Sequence, residues 1–399
     1  MKRRTTTRSH CVARGRRARV WWWIFERQLA LKVGVVHCPA RTLVRAELKT
    51  RSEAITMKKI WRVAVMTTMA FLASGVQAET RLTMSSWLPA GHPLVRDVME
   101  PWAKSVEQVT EGRVKVVMLP SALGHPRVHY DIAAEGQADI TYGAHGYTPG
   151  RFSLYKMVEF PFGGNSAEAT SVAYWRVYNK YLSAAGEHKD TKLLGLFTHG
   201  PGHIHNSKHS VSSSADLKGM KLRVGGGIMN DLSKGLGYVP LQQPSSSTYE
   251  LISSGVADGT LFPLESVPAF NIDKKATHTT LVPGGLYNFS FFVVMNKERF
   301  ESLPEQDRAA IDKVSGEALA RLAGHMWDVE DAKGLQTIKA NGNEVLTATD
   351  TFMGEIRAAS EPMEQEWLKQ AEAAGVNGQD ALAEFRQLSN QLSHNLASK

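Results

Sequence analysis

Apolar residues recur along the middle of the chain with two periodicities. Short runs rich in apolar and β-branched residues at 81–86, 114–119 and 138–142 predict strands. Helices are predicted between them, through 130–135 and through a stripe of apolar residues spaced three and four apart. The stripe consists of Val95, Val98, Met99, Trp102, Val106 and Val109. This alternation predicts an α/β sheet with helices on its faces.

The same alternation begins again further along the chain. A helix at 167–182 precedes a strand at 192–197, and a strand at 221–224 leads through three glycines into a helix at 228–235. Ser302-Leu-Pro-Glu305 combines an N-cap serine, an early proline and a following glutamate, which predicts a helix start. The helix is expected to continue along the stripe Ile311, Val314, Ala318, Leu322, Met326 and Val329. Two cycles predict two lobes, braced by this long helix.

The first 78 residues differ from the rest in charge and pattern. Residues 1–56 carry 14 Lys or Arg against three acids, a net charge of +11 against +8 for the whole chain. From Met57, three basic residues precede an apolar run at 63–73 and the small residues of Val76-Gln77-Ala78. This is typical of a secretory signal peptide, and the run is shorter than the roughly 20 residues of a membrane span. We predict a disordered, non-native extension at 1–56, a cleaved signal peptide at 57–78, and export to a Gram-negative periplasm.

The remaining 321 residues are acidic, with 30 bases against 36 acids and a net charge of −6. The pI of 9.3 therefore comes from the N-terminal segment, and nucleic acid is not an expected partner. Both cysteines, Cys11 and Cys38, lie in that segment, so a mature chain has no thiol for a disulfide, a metal or catalysis. The sequence contains neither a Gly-x-Ser-x-Gly elbow nor an HExxH motif. We expect neither an enzyme nor a bound cofactor.

Several segments of the mature chain resemble one family of transport proteins. The residues that carry the resemblance are Thr110-Glu-Gly-Arg113, Ser121-Ala-Leu-Gly124, the 216–224 segment DLKGMKLRV, Gly255-Val-Ala-Asp-Gly259, and Met295-Asn-Lys297 followed by Leu303-Pro304. In this order, behind a signal peptide, they are similar to the solute receptors of tripartite ATP-independent periplasmic (TRAP) transporters. The resemblance is to the dicarboxylate-receptor (DctP) type and runs from 79 to about 370.

The resemblance implies a two-lobed fold like that of periplasmic binding proteins, with a mixed sheet flanked by helices in each lobe. We expect 79–200 plus 289–328 to form lobe 1 and 201–288 plus 329–399 to form lobe 2, interwoven and spanned by a long helix. It also implies a cleft that closes on a small organic acid, and the membrane subunits of a transporter as partners. We expect the receptor to be a monomer. The sequence does not identify the acid.

Arg223 is the residue most directly implicated by the resemblance. It matches the arginine of the family's lysine-hydrophobic-arginine-valine strand, which pairs with a substrate carboxylate. A guanidinium suits this role because it is planar, permanently charged and able to donate two parallel hydrogen bonds. The three glycines after it leave backbone N–H groups at a helix start, where an anion is also favoured. Their spacing differs from nucleotide-binding motifs, so a phosphate site is not expected.

Four histidines, His199, His203, His205 and His209, lie within eleven residues. On a strand, His203 and His205 would point to the same side, which leaves a periplasmic metal-ion receptor as the alternative function. The cluster contains no acid or cysteine to complete a ligand set. In the resembling family a basic or polar residue near this position commonly faces the ligand, so His203 is our second expected anion contact. A purely structural role for these histidines stays open.

Four further residues are expected at the site. Three of them lie in loops or at strand ends, where α/β sheets place their binding crevices: Trp87, Tyr147 and Phe262. The alternative that each fills a core stays open. Phe262 stands where many members of the resembling family have an asparagine, which favours a ligand with an apolar or aromatic part over a four-carbon dicarboxylate. Arg151 is either a second contact for the ligand or a partner of Glu159.

Overall fold

The computed structural model describes residues 79–398, in which eleven strands form two sheets. The predicted extension at 1–56 and the predicted signal peptide at 57–78 lie outside the described residues. The strands are β1 Thr80–Ser85, β2 Val114–Met118, β3 Ile140–Ala144, β4 Thr191–Thr198, β5 His203–Asn206, β6 Lys221–Val224, β7 Val239–Gln242, β8 Gly259–Phe262, β9 His278–Leu281, β10 Ser290–Asn296 and β11 Glu344–Thr347.

The first sheet has the strand order β2-β1-β3-β10-β4. Strand β1 pairs in parallel with β2 and β3, whereas β10 runs antiparallel to β3 and β4. All five residues of β3 and the first six of β10 are buried. Such continuous burial is expected of central strands whose two faces are both covered.

The second sheet has the order β11-β9-β5-β8-β6-β7. Strand β5 is antiparallel to β8 and β9, and the other pairs are parallel. Two mixed sheets with helices between successive strands confirm the predicted α/β class.

The chain crosses between the sheets three times. It leaves β4 through residues 199–202 to enter β5, and it returns from β9 through residues 282–289 to enter β10. The last crossing runs through residues 297–343, from β10 of the first sheet to β11 of the second. Each sheet is therefore assembled from separated parts of the chain, and the two halves are interwoven. The exact lobe boundaries given above stay a prediction.

Twelve α-helices are present in the described range, together with short 3₁₀ and π segments. They are α1 Glu100–Val109, α2 His129–Ala134, α3 Ala167–Val177, α4 Ser214–Leu217, α5 Ile228–Leu236, α6 Thr248–Ser253, α7 Ser266–Ala269, α8 Lys297–Glu301, α9 Glu305–Val314, α10 Glu317–Ala340, α11 Asp350–Ala373 and α12 Gly378–Ala397. Within residues 79–398, none of these helices is long and apolar enough to span a membrane.

The predicted continuous helix after Ser302 is wrong in two details. The helical periodicity continues, but the helix breaks between α9 and α10, where Gly316 has a φ of 61° and donates its N–H to the carbonyl of Leu194 at 2.7 Å. Ser302 is not the N-cap, because its hydroxyl donates to the carbonyl of Arg299 and α9 begins after Pro304. Apolar spacing alone did not reveal the break, because the predicted stripe runs through Gly316 without interruption, although two of its residues, Ala318 and Val329, are exposed.

Helix α10 contacts both halves of the fold, as predicted for the long helix. It packs on α3 and β4 of the first half and on α7 of the second half. Two glycines permit these close contacts, because a Cβ on Gly324 would lie 2.4 Å from the Cα of Glu168 and one on Gly334 would lie 2.3 Å from the carbonyl oxygen of Leu264. This helix therefore brings side chains such as Trp327 to the boundary between the sheets.

Candidate ligand-binding site

A cavity lies between the two sheets, with about 410 Å³ of free space including its mouth. Its walls come from the loops after β1 and β3, from strands β6, β8 and β10, and from helix α10. The lining residues are mostly aromatic or aliphatic, with Arg223, His92, His199, Ser245 and Ser266 as polar members. An apolar cavity with few polar groups is the usual form of a small-molecule site.

Arg223 is the cation of this cavity and is only 2% exposed. Its Nε donates to the carbonyl of Gln243 at 2.8 Å, and its guanidinium carbon lies 4.8 Å from the centre of the Phe262 ring. Among residues 79–398, no carboxylate lies within 4.0 Å of the guanidinium, although arginines elsewhere in this range form ion pairs. Burial lowers the pKa of Arg223, and the nearby phenol of Tyr147 partly opposes that effect.

Tyr147 joins the two halves of the protein beside Arg223. It follows β3 of the first sheet, and its hydroxyl accepts the backbone N–H of Ser245, which follows β7 of the second sheet, at 3.1 Å. The indole of Trp87 packs edge-on against the Tyr147 ring at 5.6 Å. We call the part of the cavity formed by Arg223, Tyr147 and Ser245 the arginine end.

A series of rings leads away from the arginine end. Phe262 stacks on Phe270 at 5.4 Å, and Phe270 contacts the His92 ring at 5.3 Å. His92 in turn faces Trp327 at 6.5 Å. We call the part of the cavity formed by His92, Ser266 and Trp327 the histidine end.

The anion position at the start of helix α5 is filled by the protein itself. The N–H of Ile228 donates to Glu159 Oε2 at 3.2 Å, and the N–H of Ser290 donates to Glu159 Oε1 at 3.0 Å. Glu159 is fully buried, and burial raises its pKa to about 8. We expected an external anion at the N–H groups after the three glycines. In the structure, one of these groups, the Ile228 N–H, already donates to Glu159.

Comparison with known proteins identifies the family. The model of the bacterial extracellular solute-binding proteins, family 7 (DctP), matches residues 84–371. This chain belongs to that family. Its curated relative TsaT, an outer membrane transporter protein of Comamonas testosteroni, is 34% identical over 316 residues, covering 79% of this chain and 93% of the relative.

Solved structures of TRAP solute-binding proteins share the fold of this family-7 protein. One from Bordetella bronchiseptica, with bound (R)- and (S)-mandelate, is 40% identical, has a TM-score of 0.77, and covers 78% of this chain and 99% of its own. Another, from a marine metagenome and in complex with 3-hydroxybenzoate, is 33% identical, has a TM-score of 0.73, and covers 78% and 98%. The resemblance and the two-lobed α/β fold predicted from the sequence are confirmed.

Four of the six residues expected at the site of this family-7 protein line one cavity. They are Arg223, Trp87, Tyr147 and Phe262, which come from four separate segments of the chain. Their roles in ligand binding stay predictions.

The other two expected residues, His203 and Arg151, do not line the cavity. His203 is buried in the second sheet, where its Nδ1 accepts the N–H of Val282 at 3.1 Å. Arg151 forms an ion pair with Asp131 and lies over the Tyr130 ring at 4.7 Å. The alternative expectation that Arg151 pairs with Glu159 is wrong, because Glu159 is buried against backbone N–H groups.

The histidine cluster does not assemble as a unit. His203 and His205 lie on β5 with ring centres 6.5 Å apart, His199 lines the cavity, and His209 is exposed. His205 is held by the Thr279 hydroxyl at 3.0 Å and the Phe262 carbonyl at 3.2 Å. In the described part of the chain, no group of three or more His, Cys, Asp or Glu side chains is arranged to hold a metal ion.

Several lining residues were not expected from the sequence. They are Leu88, His92, Leu94, Met229, Ser245, Pro263, Ser266, Phe270, Tyr287, Phe289, Phe291 and Trp327, and His199 was considered only for metal or a structural role. Trp327 had a detectable signal, because it lies beside Met326 of the predicted apolar stripe. His92 and Phe270 had none, since their segments are far apart in the sequence and meet only in the folded protein.

Proposed function

We propose that this family-7 receptor binds an aromatic monocarboxylate in the cavity, with the carboxylate on Arg223. The observation that supports the proposal most is a buried guanidinium without an acidic partner in the described range. Burying an unpaired cation lowers the stability of a protein by roughly several kcal/mol unless a counter-charge is supplied. A ligand carboxylate would supply that charge and accept two parallel hydrogen bonds.

The aromatic walls support the rest of the ligand class. Phe262, Phe270, Phe289 and Phe291 present ring surfaces to the space next to Arg223. Aromatic rings stack favourably at centroid distances of about 4.5–7 Å. The two similar receptors with solved structures contain mandelate and 3-hydroxybenzoate, both aromatic acids. Phe262, in place of an amide, offers no polar contact to a second carboxylate.

The proposed receptor is exported, delivers its ligand to a transporter and does not catalyse a reaction. We place the protein in the periplasm, exported by the signal peptide at 57–78, where as a monomer it delivers its ligand to the membrane subunits of a TRAP transporter. We further propose that it is not an enzyme. Burial lowers the pKa of His92 to about 4 and of His199 to about 3, which makes these two cavity histidines poor bases at neutral pH.

Isothermal titration of the purified protein tests the proposal. We expect benzoate and mandelate to bind and succinate to bind at least about a hundredfold more weakly, because the cavity offers one cation and apolar walls. Arg223→Ala should weaken benzoate binding by at least about a hundredfold, since two charge-assisted hydrogen bonds are lost. Arg176→Ala is the matched control, because Arg176 pairs with Glu317 on the surface.

Two results would contradict the proposal in different ways. Tight binding of succinate with no response to either aromatic acid would refute the ligand class. Unchanged benzoate affinity in Arg223→Ala would refute the role of the arginine while leaving the ligand class intact.

A further inference from the structure

The histidine end of the cavity contains polar atoms that the protein itself does not satisfy. His92 is 5% exposed, and its Nδ1 accepts the N–H of Leu94 at 3.2 Å. An imidazole nitrogen that accepts a hydrogen bond carries no proton, so in neutral His92 the proton is on Nε2. Burial lowers the pKa of His92 to about 4, which keeps the ring neutral at physiological pH.

Among the described residues, the proton on His92 Nε2 has no acceptor within hydrogen-bond distance. The nearest acidic oxygen, Glu265 Oε1, is 3.6 Å away, which is beyond the range of a hydrogen bond. Glu265 Oε1 has no other partner within residues 79–398. These two polar atoms therefore face each other across a gap that is too wide for a direct bond.

Two neighbouring residues also carry an unsatisfied polar atom: Trp327, whose ring faces His92 at 6.5 Å, and Asp331, which accepts the N–H of Glu265. The indole Nε1 of Trp327 and Asp331 Oδ2 are buried without a hydrogen-bond partner in the described part of the protein. The other oxygens of the two acids are bonded, since Asp331 Oδ1 accepts the N–H of Glu265 at 2.7 Å and Glu265 Oε2 accepts the Ser266 hydroxyl at 2.8 Å. Each buried polar group left unpaired destabilises the folded protein, so such a concentration requires an explanation.

The charges around the histidine end disfavour a second carboxylate there. Glu265 and Asp331 are buried side by side, and burial raises the pKa of both carboxyls well above the usual range. The nearby cation Arg96 is half exposed and already paired with Asp97 and Glu330. An anionic group at this end would gain no cation and would be repelled whenever either acid is ionised.

We infer that the histidine end receives a hydroxyl group of the ligand, so that the receptor selects hydroxylated aromatic monocarboxylates over unsubstituted ones. The unsatisfied atoms include N–H donors, on His92 and Trp327, and Glu265 Oε1, which accepts a hydrogen bond when the carboxyl is ionised and donates one when it is protonated. A hydroxyl group both accepts and donates, which an alkyl, carboxylate or ammonium substituent does not. This inference rests on the proposed function, because it assumes that the ligand carboxylate is held at the arginine end.

The test compares matched substituents at every ring position. Binding of benzoate, the three monohydroxybenzoates and the three methylbenzoates is measured by isothermal titration. We expect at least one hydroxybenzoate to bind about tenfold more tightly than the methylbenzoate with the same substitution position, since one buried hydrogen bond stabilises by about 1 kcal/mol or more. The corresponding benzenedicarboxylates should bind more weakly than benzoate.

Two variants locate the effect in the histidine end. His92→Leu and Trp327→Phe each remove an N–H donor, and we expect each to reduce the hydroxyl advantage, which is the ratio of hydroxybenzoate affinity to methylbenzoate affinity, severalfold. Trp327→Phe keeps an aromatic ring in place, so it stays informative if His92→Leu fails to fold. His209→Leu, at an exposed histidine, is the matched control and should preserve the hydroxyl advantage.

The outcomes separate this inference from the proposed function. If every methylbenzoate binds as tightly as its hydroxyl counterpart, or if both variants retain the full hydroxyl advantage, the inference is wrong while benzoate binding still supports the proposed function. If no aromatic acid binds to the unmodified protein, the proposed function itself fails, and the inference fails with it.

Discussion

Arg223 and Glu159 are both buried ionisable groups, but the protein surrounds them in opposite ways. Glu159 has a backbone N–H on each oxygen, and burial raises its pKa to about 8, so it is also able to take up a proton. Arg223 donates one hydrogen bond to a carbonyl and has no acidic partner in the described range. A guanidinium also keeps its charge at any physiological pH.

The comparison separates a structural group from a binding group. Glu159 connects the segment 154–159 to the start of α5 and to the start of β10, so its bonds hold parts of both halves together. Arg223 satisfies nothing comparable within the fold. A buried polar group that the protein satisfies contributes to stability, whereas a buried charge that it leaves unsatisfied indicates a ligand.

The largest expected effect on the ligand-free protein comes from Glu159. Glu159→Ala leaves two buried N–H groups without acceptors, so we expect the free energy of unfolding to fall by about 2–5 kcal/mol. Urea denaturation of the ligand-free protein measures this loss. Glu250→Ala, at an exposed glutamate, is the control and should change stability by less than about 0.5 kcal/mol. Stability of Glu159→Ala equal to that of the control would remove the contrast with Arg223.

The pH dependence of stability tests whether the buried histidines and carboxyls are neutral in the native state. Burial lowers the pKa of seven histidines in the described range, which are His92, His129, His145, His188, His199, His203 and His205. It raises the pKa of three carboxyls to about 8, which are Glu159, Glu265 and Asp331. Below pH 6.5, the ordinary pKa of histidine, the histidines bind more protons in the unfolded chain than in the native state. Above pH 6.5, the carboxyls bind more protons in the native state than in the unfolded chain.

Stability is therefore expected to peak near pH 6.5. Below this pH the histidines give the unfolded state an excess that approaches four protons, seven minus three, so stability falls as pH falls. The loss from pH 6.5 to 5.5 should be about 3 kcal/mol. From pH 6.5 to 8 the three carboxyls make stability fall as pH rises. Urea denaturation at half-unit pH steps measures the curve, and a steady rise from pH 6.5 to 8 would show that these carboxyls are ionised in the native state.

Arg223→Met should have the opposite sign to Glu159→Ala in the ligand-free protein. Methionine fills a similar apolar space without an unpaired charge, so we expect the free energy of unfolding to rise by about 1 kcal/mol. The gain is limited because the carbonyl of Gln243 loses its donor. Thermal denaturation without ligand measures it, and benzoate should no longer raise the melting temperature of this variant. A destabilisation as large as that of Glu159→Ala would mean that Arg223 is primarily structural.

The arginine end was largely predictable because local patterns placed its residues. The strand Lys221–Val224 was predicted with its observed bounds, and Tyr147 and Trp87 follow predicted strands. Loops at the carboxyl ends of strands commonly meet at a binding crevice, which brought these residues together. The same reasoning did not locate Arg151 correctly, because its side chain pairs with Asp131 instead of lining the cavity. No local pattern encodes this contact.

The histidine end and the Glu159 contacts depend on long-range contacts that periodicity does not reveal. His92 and Glu265 are 173 positions apart in the sequence, and helix α10 contributes Asp331 and Trp327 from a third segment. Glu159 ends a short 3₁₀ segment, and nothing in its neighbourhood indicates that it reaches the N–H of Ile228. Such partners follow from tertiary packing, which one sequence without its fold does not specify.

The smallest expected effect comes from Tyr147→Phe, which alters the arginine end without touching the charge. The lost hydroxyl accepts the Ser245 N–H across the two halves, so this bond stabilises the arrangement in which the cavity is enclosed. One such bond contributes about 0.5–1.5 kcal/mol, and we expect benzoate affinity to fall by between about twofold and tenfold. The loss should appear as faster dissociation, because affinity differences between related complexes lie mostly in the dissociation rate. Stopped-flow fluorescence measures this rate, with the Trp87 indole that packs on Tyr147 as the reporter. Tyr249→Phe, at an exposed tyrosine, is the control and should leave both rates unchanged. An affinity loss as large as that of Arg223→Ala would instead assign the hydroxyl a direct bond to the ligand carboxylate.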